Sequence, residues 1–405
     1  MARTGQFAPV AGERLTDLLG VFALTWALPS AVVDGAVAAA GRTERRRRSL
    51  PARTVLYFTL AMWLYPSSGY GEVMRLLSAG LARKHRWVPP SPVPSTAAIT
   101  KARQRLGPDP LRLLFERVAG PAAGPGAPGA FHREWRVLSL DTTLLDVQDS
   151  PANRAAYGVA GAPLPQVRVV ALAEGASRAV CAAALGAPGP AAAGLTVPGP
   201  AALGPAAADP VRTVLGGLRP GQLVLAGHRT LTPELWTGAR ALGADLLWRA
   251  GPGLDLPVLR ALEDGSYLSR LAGPAAGGGV PVRVVECPLP AAGRSGGAPV
   301  PRPARLLCSI LEPARAGAAE LARLYGGRWR LEALLDELGA LRGGARPVLR
   351  SKSPAMVEQE VWAMFLAHHA VRALVVGGGE SNPVGPAVRA QAPTPGRTGS
   401  RAGQG

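Results

Sequence analysis

Leu321-Ala-Arg-Leu-Tyr325-Gly-Gly-Arg328-Trp329-Arg-Leu-Glu332, closing on Asp336 and Glu337, is the stretch on which the reading of the fold turns. On a helix at about 100° per residue, Tyr325, Arg328 and Glu332 fall at i, i+3 and i+7 and share one face. A tyrosine, an arginine and a carboxylate in one stripe can hold a phosphate and a metal ion side by side. The same spacing also describes a surface helix with an Arg–Glu pair at i, i+4. Spacing alone leaves both readings open.

Outward from that stretch the periodicity changes. Upstream, Val137 to Leu140 runs straight into Asp141, Val167 to Leu172 is a β-branched run suited to a buried strand, and Leu223 to Ala226 is another short apolar strand. Helical spacing follows at Pro233 to Leu242 and a strand at Asp245 to Trp248, so the middle of the chain reads as a mixed α/β core. Residues 250–310 turn β-rich again, with Val280 to Val285 and Ala304 to Ile310 as strands of an insertion. Ala314 to about Leu341 reads as helix and Ser353 to Leu374 as a further apolar helix. Beyond Val376 glycine, proline, serine and arginine follow without periodicity, as in a disordered tail, and Gly186 to Ala208 is similarly low in complexity.

The N-terminal part is helical by pattern. Leu15, Leu18, Leu19, Phe22 and Leu24 recur at near-helical spacing, Val55 to Leu64 is a second apolar stretch, and Arg45-Arg46-Arg47-Arg48 lies between them. Ser95 or Thr96 caps a helix from Ala97 to Leu106, which carries Lys101, Arg103 and Arg105 before Gly107 and Pro108 stop it. Gly120 to Gly129 marks a linker. The expected organisation is a helical domain at 10–118, a linker at 119–135, an α/β core at 136–375 with its insertion at about 250–310, and a tail at 376–405.

A chain of 405 residues, 47% hydrophobic, buries a sizeable core. Its formal charge of +18 points to a polyanionic partner, nucleic acid first, although a GC-rich gene inflates arginine together with alanine, glycine and proline. Almost all the base is arginine, with lysine only at Lys84, Lys101 and Lys352. Cys181, Cys287 and Cys308 form no CxxC pair, which suggests neither a disulfide framework nor structural zinc and fits a reducing cytoplasm. Val21 to Val33 is interrupted by Pro29 and flanked by Asp17 and Asp34, and Val55 to Tyr65 is shorter than the ~18 apolar residues of a membrane span, so both read as buried helices.

Three ordered motifs resemble the DDE transposases of the IS4 type. The spacing Tyr325, Arg328, Glu332, followed by Val348-Leu-Arg-Ser-Lys352-Ser-Pro and Glu358-Gln-Glu360, is similar to that family's signature helix. Leu140-Asp141-Thr-Thr-Leu-Leu-Asp146-Val-Gln-Asp149-Ser-Pro-Ala-Asn153 resembles the segment carrying its first catalytic aspartate, and Leu225-Ala-Gly227-His228-Arg-Thr-Leu-Thr-Pro-Glu-Leu-Trp236 the segment carrying its second. The stretch from Arg14-Leu-Thr-Asp-Leu to Leu114-Phe-Glu-Arg is similar to the helical domain preceding the core in many of these proteins, so the likeness spans roughly residues 10–375.

That resemblance implies a ribonuclease-H-like mixed sheet preceded by an all-helical domain, and a DNA transposase that cuts and transfers strands at the ends of an insertion sequence. It implies double-stranded DNA as partner, in terminal inverted repeats and target, a homo-oligomer on DNA, no membrane, and a cytoplasmic, nucleoid-associated location. The chemistry is in-line displacement at phosphorus, for which two divalent ions about 3.5–4 Å apart activate the attacking oxygen and stabilise the leaving one. Oxygen ligands favour Mg²⁺ or Mn²⁺, with Asp141 and Glu332 as catalytic metal ligands and Tyr325 and Arg328 on phosphate.

The chain departs from the family at three places. Gly227 stands where members carry the second aspartate and supplies no ligand. His228 beside it is a poor partner for Mg²⁺, and Asp245 lies one helix away. Gly339 replaces a lysine seven residues after the glutamate, and the likeness stops near Ala373, ahead of a tail with the composition of a shifted reading frame or a disordered segment. The copy therefore reads as impaired, with a noncatalytic DNA-binding transposase relic as the alternative; sequence error at Gly227 would also explain it. Arg45, Arg46, Arg47 and Arg48 grip phosphates or form a solvated loop, while Lys101, Arg103 and Arg105, regularly spaced on one helix, are the candidates for specific DNA contact. Trp329 either stacks on an unpaired base or packs its helix on the sheet, Asp146 and Asp149 read as loop carboxylates, and His368 and His369 as core or helix-surface residues.

Overall fold

The computed structural model describes residues 15–44, 46, 49–85, 93–159, 162–188, 209–272, 279–290, 301–340 and 348–377. The first part is helical: α1 (Leu15–Ala27), α2 (Ser30–Ala39), α3 (Ala52–Leu64), α4 (Tyr70–His85), α5 (Thr96–Leu106) and α6 (Asp109–Val118). Local chemistry sets the limits of α5. The Ser95 side chain accepts the Ala98 amide at 3.2 Å, and Gly107 ends the helix at φ 71°, a conformation that L side chains avoid. No single described helix is long and apolar enough to cross a membrane. The apolar pair α1 and α2 bends by 64° at its break and contributes Val21, Leu24, Leu28, Val33 and Val37 to the core.

The strands and helices that follow are β1 (Phe131–His132), β2 (Trp135–Asp146), α7 (Pro151–Tyr157), β3 (Gln166–Glu174), β4 (Val180–Gly186), α8 (Pro210–Leu215), β5 (Gln222–Ala226), α9 (Pro233–Ala241) and β6 (Asp245–Arg249). Then come β7 (Arg260–Ala261), β8 (Tyr267–Leu271), β9 (Val280–Pro290), β10 (Pro301–Cys308), α10 (Ala318–Gly326), α11 (Leu331–Ala340) and α12 (Pro354–Gly377). One mixed sheet runs β4-β3-β2-β5-β6-β10-β9-β8-β7, with β1 paired to β2 outside that order. β2, β3 and β4 alternate antiparallel, β5 and β6 run parallel to β2, and β10 returns antiparallel against β6. The β-rich segment thus continues the same sheet instead of forming a separate one.

Alternation along each strand divides the core. Leu138 and Leu140 of β2, Val224 and Ala226 of β5, and Leu246 and Trp248 of β6 face α8 and α9. Val137, Leu223, Leu225 and Leu247 face the other way, toward Leu321 and Tyr325 of α10. Farther along that second face, Leu145, Val167, Val169 and Ala171 join α11, α12 and the N-terminal helices in a continuous apolar cluster. The N-terminal helices therefore share a core with the sheet: Trp63 Nε1 of α3 donates to the Glu360 carbonyl of α12 at 2.7 Å.

Two expectations change. The helix expected from Ala314 to about Leu341 is broken: α10 ends at Gly326, and α11 begins only at Leu331. Gly326 and Gly327 are adjacent, and each costs a helix about 1 kcal/mol relative to alanine, so the turn opens there. Asp141, expected at a strand's end, lies inside the 12-residue β2, which continues to Asp146 against β3. Residues in the segment expected as a linker are anchored, since the Ala122 and Ala123 amides donate to the buried Glu174 carboxylate at 3.0 and 2.7 Å. Arg45, Arg47, Arg48, residues 189–208 and residues 378–405 lie outside the described residues.

Candidate active site

Strand register sets the site. β2 and β5 pair in parallel as far as Leu140 opposite Ala226, and β5 and β6 as far as Ala226 opposite Trp248. One step further, Asp141, Gly227 and Arg249 line up across three neighbouring strands. By alternation all three face the α10 side, since their neighbours two residues back, Ser139, Leu225 and Leu247, lie on that face. The row stands at the carboxyl ends of β5 and β6, where open α/β sheets hold their ligands.

The broken helix supplies the rest. The Tyr325 hydroxyl donates to the Ala226 carbonyl at 3.0 Å, pinning the end of α10 to the end of β5. The Arg328 guanidinium lies over the Tyr325 ring at 5.2 Å, and its Nη1 is 3.8 Å from Asp141 Oδ1. The Leu331 amide donates to Asp141 Oδ2 at 2.8 Å, so Asp141 caps the first turn of α11, where a carboxylate meets the positive end of the helix dipole. Tyr325, Arg328 and the start of α11, which carries Glu332, gather at Asp141 because the helix breaks and turns there, not because the three residues share a continuous helical face.

Burial pushes the Asp141 carboxyl above its ordinary range. Arg328 and the Leu331 amide pull it back, while Glu332 pushes it further up. Burial likewise raises the Tyr325 phenol. Arg328 Nη1 and Glu332 Oε2 are shielded from solvent and make no hydrogen bond; Glu332 Oε2 lies 3.5 Å from Arg330. Each has an ion-pair partner, but a shielded charged atom without a hydrogen bond is costly in a finished fold.

Gly227 has φ −78° and ψ 166°, ordinary extended backbone, and a Cβ there would meet only Arg328 Nη2, at 3.6 Å. The position is sterically free for an L side chain aimed at Arg328. As it stands, the site offers two carboxylates, each beside its own arginine, and no cluster of three His, Cys, Asp or Glu groups suited to a metal occurs among the described residues. These residues do not fit a two-ion centre. Asp245 cannot complete it, because its carboxylate receives Trp135, Arg240 and Ser309 at the opposite end of β6.

The expected DNA-contacting residues separate. Lys101 and Arg105 are exposed on α5, Arg105 also donating to the Leu50 carbonyl at 3.0 Å, and Arg46 is exposed. Arg103 is fully buried. It donates to Gln359, Tyr70, Ser351 and the Met356 carbonyl and faces Glu360 at 3.6 Å, so its role is to lock α5 to α12 and the expectation of a DNA contact is corrected. Its position at i+2 from Lys101 and i−2 from Arg105 places it on the opposite, core side of the helix. Trp329 is buried in the core beside Leu331 and Leu334. His368 is buried against Glu337 at 3.0 Å. Gly339 lies in α11. The role of Asp141 as a helix cap and the place of Arg249 in the row escaped sequence reading. A signal for Arg249 existed: it ends the strand after the one that stops just before Gly227.

A family model described as "Insertion element 4 transposase N-terminal" matches residues 19–116. Along 370 residues, 84% of this chain and 73% of the relative, the sequence is 27% identical to the transposase InsG for insertion sequence element IS4 of Escherichia coli (strain K12). Among solved structures, the chain is similar to a piggyBac transposase in a synaptic complex with hairpin DNA, at a TM-score of 0.41 and 10% identity, covering 88% of this chain and 76% of that one.

Proposed function

We propose, on the premise that this chain is an IS4-family transposase, as both sequence matches support, that it binds the DNA ends of its insertion sequence through a DDE-type centre that is incomplete in this copy. The observation that carries the reading is the convergence of Asp141, Tyr325 and Arg328 beside position 227, with Glu332 near enough to Asp141 to push its carboxyl up, in the order of motifs that the sequence presents. The strand order β4-β3-β2-β5-β6, antiparallel and then parallel, supports a ribonuclease-H-like core. The helical segment 10–118 would be the DNA-binding domain, with Lys101, Arg105 and Arg46 on phosphates and the protein acting as a homo-oligomer on element ends.

In members with a carboxylate at this position, Mg²⁺ or Mn²⁺ would be held by three side chains. Here glycine leaves Asp141 facing Arg328 and the α11 amide. Binding without efficient cleavage is therefore the activity this chain retains, which makes the noncatalytic DNA-binding relic the second reading, favoured by Gly227 alone. Double-stranded DNA from the gene's own flanks tests the binding: fluorescence anisotropy with increasing NaCl should give affinity that falls log-linearly with salt and exceeds that for a scrambled duplex. No binding at about 50 mM NaCl, where phosphate contacts are strong, would remove the DNA assignment.

A further inference from the structure

The groove beside the site is the strongest feature left over. It holds about 880 Å³ and is lined by His228, Arg249, Glu286, Cys287 and Arg305 together with prolines and small residues of the strand ends. It opens from the end of the Asp141, Gly227, Arg249 row, because His228 directly follows Gly227 and lines it, and runs over β6, β10 and β9. Its cations differ in how they are held. Arg305 donates to the Leu254 carbonyl at 2.8 Å and stands in register with Glu286, which in turn meets the Tyr267 hydroxyl at 3.4 Å. Arg249 is half-buried and, among the described residues, makes no side-chain hydrogen bond or ion pair. Burial, and then Arg249, Arg229 and Arg328, hold the His228 imidazole below its usual range, and these arginines make the near end of the groove a place of positive charge.

We propose that this groove is an anion-binding track continuous with the active site, in which Arg249 contacts the phosphodiester strand leading away from the phosphate held by Arg328 beside Asp141. The proposal rests on the DNA reading above and names a residue for that substrate that the sequence motifs do not include. A volume of this size suits a short stretch of one strand and not a duplex, since ligand clefts of about 300–1,000 Å³ enclose small molecules. The parallel-strand register places Arg249 two strands from Asp141, about 10 Å away at the ~4.8 Å strand spacing. That is farther than one phosphate group reaches, so Arg249 would meet a neighbouring phosphate of the same strand and not the one at Asp141.

The test measures binding of the full chain to a fluorescein-labelled single-stranded twelve-nucleotide oligothymidylate by anisotropy across NaCl concentrations, for the native protein and for R249Q, R249K and R212Q. Arg212, exposed on α8, controls for loss of one surface charge. The expected result is a salt slope reduced by about 0.7 and affinity lowered several-fold for R249Q, with R249K and R212Q close to native. Circular dichroism checks that R249Q is folded, and R249A takes its place if it is not. If the native chain binds and the folded variant lacking the Arg249 charge keeps the native slope, the groove is not a track and the DNA reading stands. If the native chain binds neither this oligonucleotide nor duplex DNA, both fall together.

Discussion

Position 227, on which the proposed loss of function rests, has surroundings that accept a side chain. Its φ of −78° asks nothing of glycine, and the nearest group to where a Cβ would stand is the Arg328 guanidinium at 3.6 Å, the partner an aspartate would meet. Gly227→Asp should therefore fold like the native chain and add a third carboxylate to Asp141 and Glu332. The thermal midpoint of that variant should rise with Mn²⁺ by about 1.4 kcal/mol of stabilisation at roughly ten times the dissociation constant, while the native midpoint stays put. An equal rise in both proteins would mean that the native site already holds the ion. How much of this was legible in sequence differs residue by residue. Asp141, Glu332, Tyr325 and Arg328 were singled out by the resemblance of their motifs to the family's, since spacing alone left a surface helix equally open. The cap that Asp141 places on α11 was not, because it depends on where the helix breaks, and propensity marks the weak Gly326-Gly327 pair without showing how the chain turns after it.

Helix α11, which carries Glu332, is held in place from behind. Glu337 accepts from His368 of α12 at 3.0 Å and from Arg178 of the β3–β4 turn. The hydrogen bond from His368, then Arg178 and further charge from α12, hold the Glu337 carboxyl down at about 2, against burial. A depressed carboxylate stabilises the fold above its unfolded value of about 4.3, and that contribution is lost as pH falls toward 2. Glu337→Gln should then cost about 2 kcal/mol at about pH 6, discounted for the partial exposure of the pair, and the gap between mutant and native in urea unfolding should close as the pH is lowered through about 4 to about 2. A gap that is constant with pH would show that packing and not charge is lost. Elements with strong local signals, such as α5 with its Ser95 cap and Gly107 stop or the β-branched β3, were legible at their positions. The extension of β2 past Asp141 was not, since Thr142, Thr143, Leu144 and Leu145 fit a strand or a turn equally and only pairing with β3 selects the strand.

At the scale of the molecule, the N-terminal helices and the sheet close over one apolar cluster, and the buried Arg103, Gln359, Glu360 and Ser351 network joins them. Sequence pattern located the helices but assigned Arg103 to their outer face, because a run of basic residues at i, i+2 and i+4 cannot all point one way and composition does not say which one turns inward. The same assembly brings Asp141, inside β2, into register with the carboxyl ends of β5 and β6, and the proposed reading is that a missing carboxylate at position 227 disables the site there. That claim is tested most directly by strand cleavage. Labelled DNA from the gene's flanks is incubated with Mg²⁺ or Mn²⁺ and either the native chain or Gly227→Asp. The account predicts specific cutting at the element end by Gly227→Asp and little or none by the native protein at equal binding; equal cutting rates for the two proteins would contradict it.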